Sequence, residues 1–229
     1  MHCVDMGVSP HFVGNAIWEI VALAPGPGSR ERKLEHGYNQ YRAYCKTNGI
    51  KVHCTTWTPE KLNKKAATTY PFMKSKANEC KKMVAFVTRL CIANNTGSDH
   101  DKWRASAAWA LSGYYSMLGD NGRYLSDASL RQLQHYVHVF LTCYYALAAE
   151  AQGLGAHAWH VVPKFHMFEH IADTVAPQVN PKHATCYGDE DVVGHVAKTG
   201  RKCHRSAVCH NLLQRWRLVC AWRWGGDWD

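Results

Sequence analysis

From residue 127 to residue 152 the chain contains neither proline nor glycine, and its apolar residues recur every three or four positions. Leu130, Leu133, Val137, Phe140, Leu141, Tyr144 and Leu147 therefore fall on one side of a helix. Ser126 supplies an N-cap hydroxyl and Gly153-Leu154-Gly155 an exit, so this is the longest helix that the sequence predicts. A stripe of that kind has to be covered by other elements, and the rest of the chain offers mostly more helices.

The same period governs Val8, Phe12, Val13, Ala16, Ile17, Ile20 and Val21, predicting a helix over about 9–24 that Pro25-Gly26-Pro27-Gly28 stops. Ser29 caps a second helix with Leu34, Tyr38, Tyr41 and Cys45 inward and Asn48-Gly49 as its end. Ile50, Val52 and Cys54 alternate, the pattern of a short strand. Thr58-Pro59-Glu60 reads as a helix start, with proline at the first helical position. After Tyr70-Pro71 a longer helix turns Ala77, Cys80, Val84, Val87 and Cys91 inward and shows Lys74, Lys76, Lys81, Lys82 and Arg89 outward. Such a basic stripe is either a solvated face or a phosphate contact. Ser98 or Asp99 opens a helix bearing Trp103, Ala107, Leu111, Tyr114 and Leu118, ended by Asp120-Asn121-Gly122. Pro163 starts another, with Phe165, Phe168, Ile171, Ala172 and Val175 facing the core, and a last one holds Leu212, Leu213, Trp216, Val219 and Cys220. The expected fold is mainly α, a compact multi-helix domain with at most one or two short strands. Residues 1–152 form its helical region and 153–229 its C-terminal region, as one unit or two.

With 46% hydrophobic and 20% charged residues, the chain has the balance of a globular protein rather than a disordered one. Its ten cysteines include no CxxC pair, and Met1-His2-Cys3-Val4-Asp5 lacks the basic start and apolar run of a secretory signal. Free thiols in a reducing, intracellular setting, nuclear or cytoplasmic, are expected. No apolar run reaches the roughly 18 residues of a membrane span. The net charge of +9 favours an anionic partner, and nucleic acid is the commonest.

The densest chemistry lies between Trp159 and Asp191. His166 and His170, four apart on a helix, point the same way and can share one Zn²⁺; with Glu169 they spell HxxEH, a zinc-peptidase pattern. That pattern requires a further downstream glutamate, and no Glu follows Glu190. Cys203-His204 and Cys209-His210 repeat a pair of zinc-type ligands, but at no standard finger spacing. Asp189, Glu190 and Asp191 suit either a helix N-terminus or an Mg²⁺ ion. Lys198, Arg201, Lys202, Arg205, Arg215 and Arg217, interleaved with Trp216 and Trp222, fit backbone contact and base stacking on nucleic acid.

Trp159-His160, Pro163-Lys164-Phe165-His166 and His170 together resemble the PKxHxxxH segment of the CACTA (En/Spm) and Plavaka-like group of eukaryotic transposases. Met1-His2-Cys3-Val4-Asp5-Met6-Gly7-Val8, continued by Asn15-Ala16-Ile17, is similar to that group's "MH" block. The resemblance implies the helical insertion and C-terminal end of an RNase H-like transposase, with DNA as partner, Lys164 among its contacts, and Mg²⁺ in the intact parent enzyme. Glu190 matches the third catalytic acid, with Asp189 and Asp191 as register alternatives. The aspartate expected before the "MH" block would precede Met1, and Asp5 does not fall in its register. The resemblance thus implies a truncated chain that binds DNA and does not cut it alone, the rivals being a zinc hydrolase and a helical interaction module without catalysis.

Overall fold

The computed structural model describes residues 3–184, 197–198, 200–201 and 205–224, with the side chains of Arg205 and 219–224 left aside. It divides into two units, Met1–Ala184 and Thr185–Asp229. Among the described residues every regular element is helical and no strand forms.

The first unit is built around α1 (Ser9–Ile17), all nine of whose residues are buried. A π-helical turn precedes it at Val4–Val8 and another follows at Trp18–Ala22, so one helical run spans Val4–Ala22. Around it lie α2 (Arg30–Thr47), α3 (Ala77–Ala93), α4 (Asp99–Asp120), α5 (Asp127–Gly153) and α6 (Lys164–His170). The chain leaves α6 through a π-helical turn at Ile171–Val175 and a 3₁₀ turn at Pro181–His183. Residues 153–184 belong to this unit, so the PKFHMFEH segment packs into the helical region that precedes it.

A helix apolar on all sides must be enclosed, and α1 is: Phe12 meets Phe140 of α5 edge-on at 5.7 Å and Trp159 at 6.0 Å. Two of its polar residues, Ser9 and Asn15, are paired inside. Ser9 shares a 2.8 Å hydrogen bond with the Tyr115 hydroxyl, and Asn15 donates to the His11 carbonyl at 2.7 Å. Caps fall where the sequence placed them, Ser29, Ser98 and Ser126 each accepting from a backbone N–H three residues on.

Ile50, Val52 and Cys54 form no strand, because their neighbourhood's backbone groups find other partners. Ile50 N–H donates to Cys45 O at 2.9 Å, His53 N–H to the Glu79 carboxylate at 3.1 Å, and Tyr38 donates to Cys54 O at 2.5 Å. The segment instead seats Trp57, 1% exposed, on the Tyr41 ring at 5.6 Å. Thr58-Pro59-Glu60 begins only a turn, and Asn63 leaves it at φ 54°.

Gly14 is where this irregular segment crosses α1. A methyl group there would sit 2.7 Å from Met73 N and from Phe72 Cα, backbone atoms that cannot turn aside. Gly14→Ala should therefore lower stability by about 2–3 kcal/mol in urea denaturation. Gly119→Ala, where the added methyl meets nothing within 4 Å, should be neutral or stabilising.

In the second unit, a 3₁₀ turn at Arg205–Ala207 leads into α7 (Val208–Trp224). Leu213, expected inside, is 64% exposed, while Leu212 and Trp216 are half-buried. Val219 and Cys220 lie outside the described side chains.

Candidate functional site

Trp159 is fixed before α6 begins. It is buried with φ 53°, a left-handed backbone that costs a non-glycine residue on the order of 1 kcal/mol and persists only where the surroundings hold it. Two bonds do so: its N–H donates to Asn15 Oδ1 at 2.8 Å and its indole Nε1 to Glu19 Oε1 at 2.6 Å. The other oxygen of Glu19 accepts from Arg104 Nη1 at 3.1 Å and from His100 Nε2 at 3.0 Å. His100 Nδ1 bonds Glu150 through its second face, and Arg104 Nη2 pairs with Asp101. Hydrogen bonding to Glu19 outweighs burial and, with Glu150, raises the His100 pKa to about 9, so the imidazolium is the state these carboxylates hold. Three carboxylates and two cations thereby tie α1, α4, α5 and the approach to α6 into one network.

From this anchor α6 projects. Phe165 and Phe168 are fully buried, packing on Tyr144 (4.3 Å) and Tyr114 (4.8 Å) respectively. Lys164 turns back over the first helical run. Its aliphatic stem occupies the space that a side chain at Gly7 would fill, and its Nζ reaches the Met6 carbonyl at 3.4 Å. Asp5, in the same stretch, is buried and accepts from the Tyr115 hydroxyl at 2.6 Å.

His166 and His170 do come together, Nε2 to Nε2 at 2.9 Å on the exposed side of α6. That is a hydrogen-bonding distance between opposite tautomers, shorter than two tetrahedral zinc ligands ~2.0–2.1 Å from one ion would keep. Glu169 lies 3.5 Å from Nδ1 of His166, on the far side of the ring from the shared contact. It can orient that imidazole but does not complete a ligand trio with the pair. Among the described residues no group of three His, Cys, Asp or Glu is placed to hold a metal ion. His135 and His138 are exposed on α5, His135 lying edge-on to Trp109 at 6.4 Å.

Asp189, Glu190, Asp191, Lys202, Cys203 and His204 lie outside the described residues, as does the side chain of Arg205. Lys198, Arg201, Arg215 and Arg217 are described and exposed. Arg215 and Arg217, two positions apart on α7, leave the helix in different directions about 200° apart, so they cannot line one narrow groove. Cys209 and His210 are exposed too, and the seven described cysteines are all free thiols. Burial raises the Cys91 thiol to about 12 and pushes Cys80 up as well, which keeps both protonated and unreactive.

The network around Glu19 was missed from sequence. Its members stand at positions 15, 19, 100, 101, 104, 150 and 159, separations that carry no local pattern. The one available signal was the pair Asn15 and Glu19, four residues apart and so on one side of a largely apolar helix.

No known protein-family model, curated protein or solved structure matches this chain. The fold defines a mainly helical protein, and no described helix is long and apolar enough to cross a membrane.

Proposed function

We propose that this chain is the helical and C-terminal part of a CACTA- or Plavaka-like transposase, one that binds DNA electrostatically and does not cleave it by itself. The observation that carries the reading is the contact between the two blocks from which the resemblance was drawn. Met6 and Gly7 of the first lie directly against Lys164 of the second, across 158 residues of sequence. Two short motifs that belong to one functional locus are expected to pack together, as these two do. The exposed cations Lys198, Arg201, Arg215 and Arg217 and the net charge of +9 supply the attraction for phosphate. In the parent enzyme Glu190 would be one of three acids holding Mg²⁺, with Asp189 and Asp191 as register alternatives. This chain alone would lack the other two.

The test is binding of the purified full chain to fluorescent duplex DNA at two salt concentrations. Affinity should fall at least tenfold between ~50 and ~200 mM salt, as it does when two or more phosphates are neutralised. The Arg215→Glu/Arg217→Glu chain should bind more weakly at both. Incubation with Mg²⁺ should leave supercoiled DNA intact. Binding that is absent, or indifferent to salt, would overturn the proposal, and so would Mg²⁺-dependent nicking by the chain alone.

A further inference from the structure

A second basic surface lies on the first unit, assembled from segments that the sequence keeps apart. His53 N–H donates to the Glu79 carboxylate at 3.1 Å, Lys82 Nζ to the Lys51 carbonyl at 2.9 Å, and Lys74 N–H to the Lys61 carbonyl at 2.7 Å. These bonds draw the stretches around 51–54, 61 and 74–76 to the start of α3. Between them opens a cavity of about 500 Å³ lined by His53, Cys54, Lys61, Ser75, Lys76, Asn78 and Glu79. Lys51, Lys74 and Lys82 stand on the residues just beyond that lining.

Charge around this cavity is lopsided. Five lysines (51, 61, 74, 76 and 82) face two acids nearby, Glu60 and Glu79, a local excess of three positive charges. Glu79 is 5% exposed and already engaged by Lys82 at 3.4 Å, so it presents little negative charge to solvent. None of Lys51, Lys61, Lys74 and Lys76 takes part in an ion pair among the described residues. Lys51, Lys74 and Lys76 are exposed as well.

We infer that this surface is a duplex-binding face that contacts the nucleic-acid phosphate backbone without reading sequence. It rests on the DNA-binding reading above and adds to it a site in the other unit. A duplex phosphate backbone is the occupant because only two of the lysines, Lys61 and Lys76, line the open cavity and the others stand outside it, so the charge is spread over a surface rather than gathered on one enclosed point. Lysine is a hydrated point charge that suits phosphates, and the cavity lining offers no arginine fork to read a base edge. It also holds no Trp, Tyr or Phe on which an unpaired base would stack, so the denser charge of a duplex should be preferred to a single strand.

The full chain carrying Lys61→Glu, Lys74→Glu and Lys76→Glu tests this against a control with the same change in net charge, Arg42→Glu, Lys102→Glu and Arg131→Glu, at exposed positions elsewhere. The patch variant should bind duplex DNA at least tenfold more weakly than the control, and its log affinity against log salt should be shallower by about 2–3. In the unaltered chain, duplex DNA should shield Lys61, Lys74 and Lys76 from acetylation and leave Lys102 reactive, a readout that needs no variant to fold. Equal weakening in both variants, or no shielding, overturns this inference while the DNA-binding reading stands. A wild-type chain that ignores DNA overturns both.

Discussion

Glu19→Ala should destabilise the first unit by about 3 kcal/mol, the scale on which removing one member of a buried charge pair operates. Its two oxygens serve three donors from two other parts of the chain, Trp159 Nε1, His100 Nε2 and Arg104 Nη1. Truncation leaves the indole N–H without its acceptor and brings Arg104, whose side chain is 8% exposed, down to Asp101 alone. It also removes one of the two bonds that hold Trp159 in its left-handed conformation. Urea denaturation of Glu19→Ala, Trp159→Phe and the double variant would measure this. The two single losses should sum to more than the double variant loses, since both delete the same hydrogen bond. Strict additivity would mean the indole bond contributes nothing.

The second large effect is a stability maximum near pH 6–7, with a different histidine responsible for each limb. His100 has its folded pKa raised to about 9, above the ordinary value near 6.5. Its contribution is therefore complete below pH 6.5 and is lost as pH rises through 9. For a side chain 28% exposed, that loss is on the order of 2 kcal/mol after allowing for solvent screening. His11 has the opposite sign. Burial first, and then His160 and Lys164, lower its pKa to about 4, and its Nδ1 has no hydrogen-bond partner. It is held neutral in the fold, so its contribution is intact above pH 6.5 and disappears as pH falls to 4, by about 3 kcal/mol. Denaturation midpoints across pH 4–9 would show both limbs. His100→Gln should flatten the alkaline one alone, and His11→Phe the acid one alone. An unchanged alkaline limb in His100→Gln would show that the imidazolium is not held by Glu19 and Glu150.

Most of the helical framework could be read from spacing, because each helix carries its own evidence within one window. Ser29, Ser98 and Ser126 named three starts, and Asn48-Gly49 and Gly153 two ends. The first helical run already covers Val4–Val8, earlier than expected, because π-helical turns keep it going on both sides of Pro10. Residues 50–76 were misread for a physical reason. Alternation at Ile50, Val52 and Cys54 signals a half-buried stretch, and half-buried it is, but a strand also requires a neighbour to pair with.

The candidate site divides the same way. The four-residue step between His166 and His170 announced their contact; where Glu169 would point was not written in the step. Asp5, out of register for a catalytic aspartate, is engaged by Tyr115, a partner 110 residues away. Long-range partnerships of this kind leave no periodic trace, and the clustering of lysines around His53 and Glu79 is another of them.

The lattice of bonds joining Asn15 to Trp159, across 144 residues, sets a schedule for synthesis. The Val4–Ala22 helical run leaves the ribosome well before the surfaces that enclose it (Phe140, Trp159 and Phe165 among them). Until they emerge, the largely apolar face of this run has nothing to cover it, and distant pairing of this sort is slow to form. A nascent chain stalled before residue 159 would thus present Val8, Phe12 and Ile17 to holdase chaperones, and release should follow soon after α6 clears the exit tunnel.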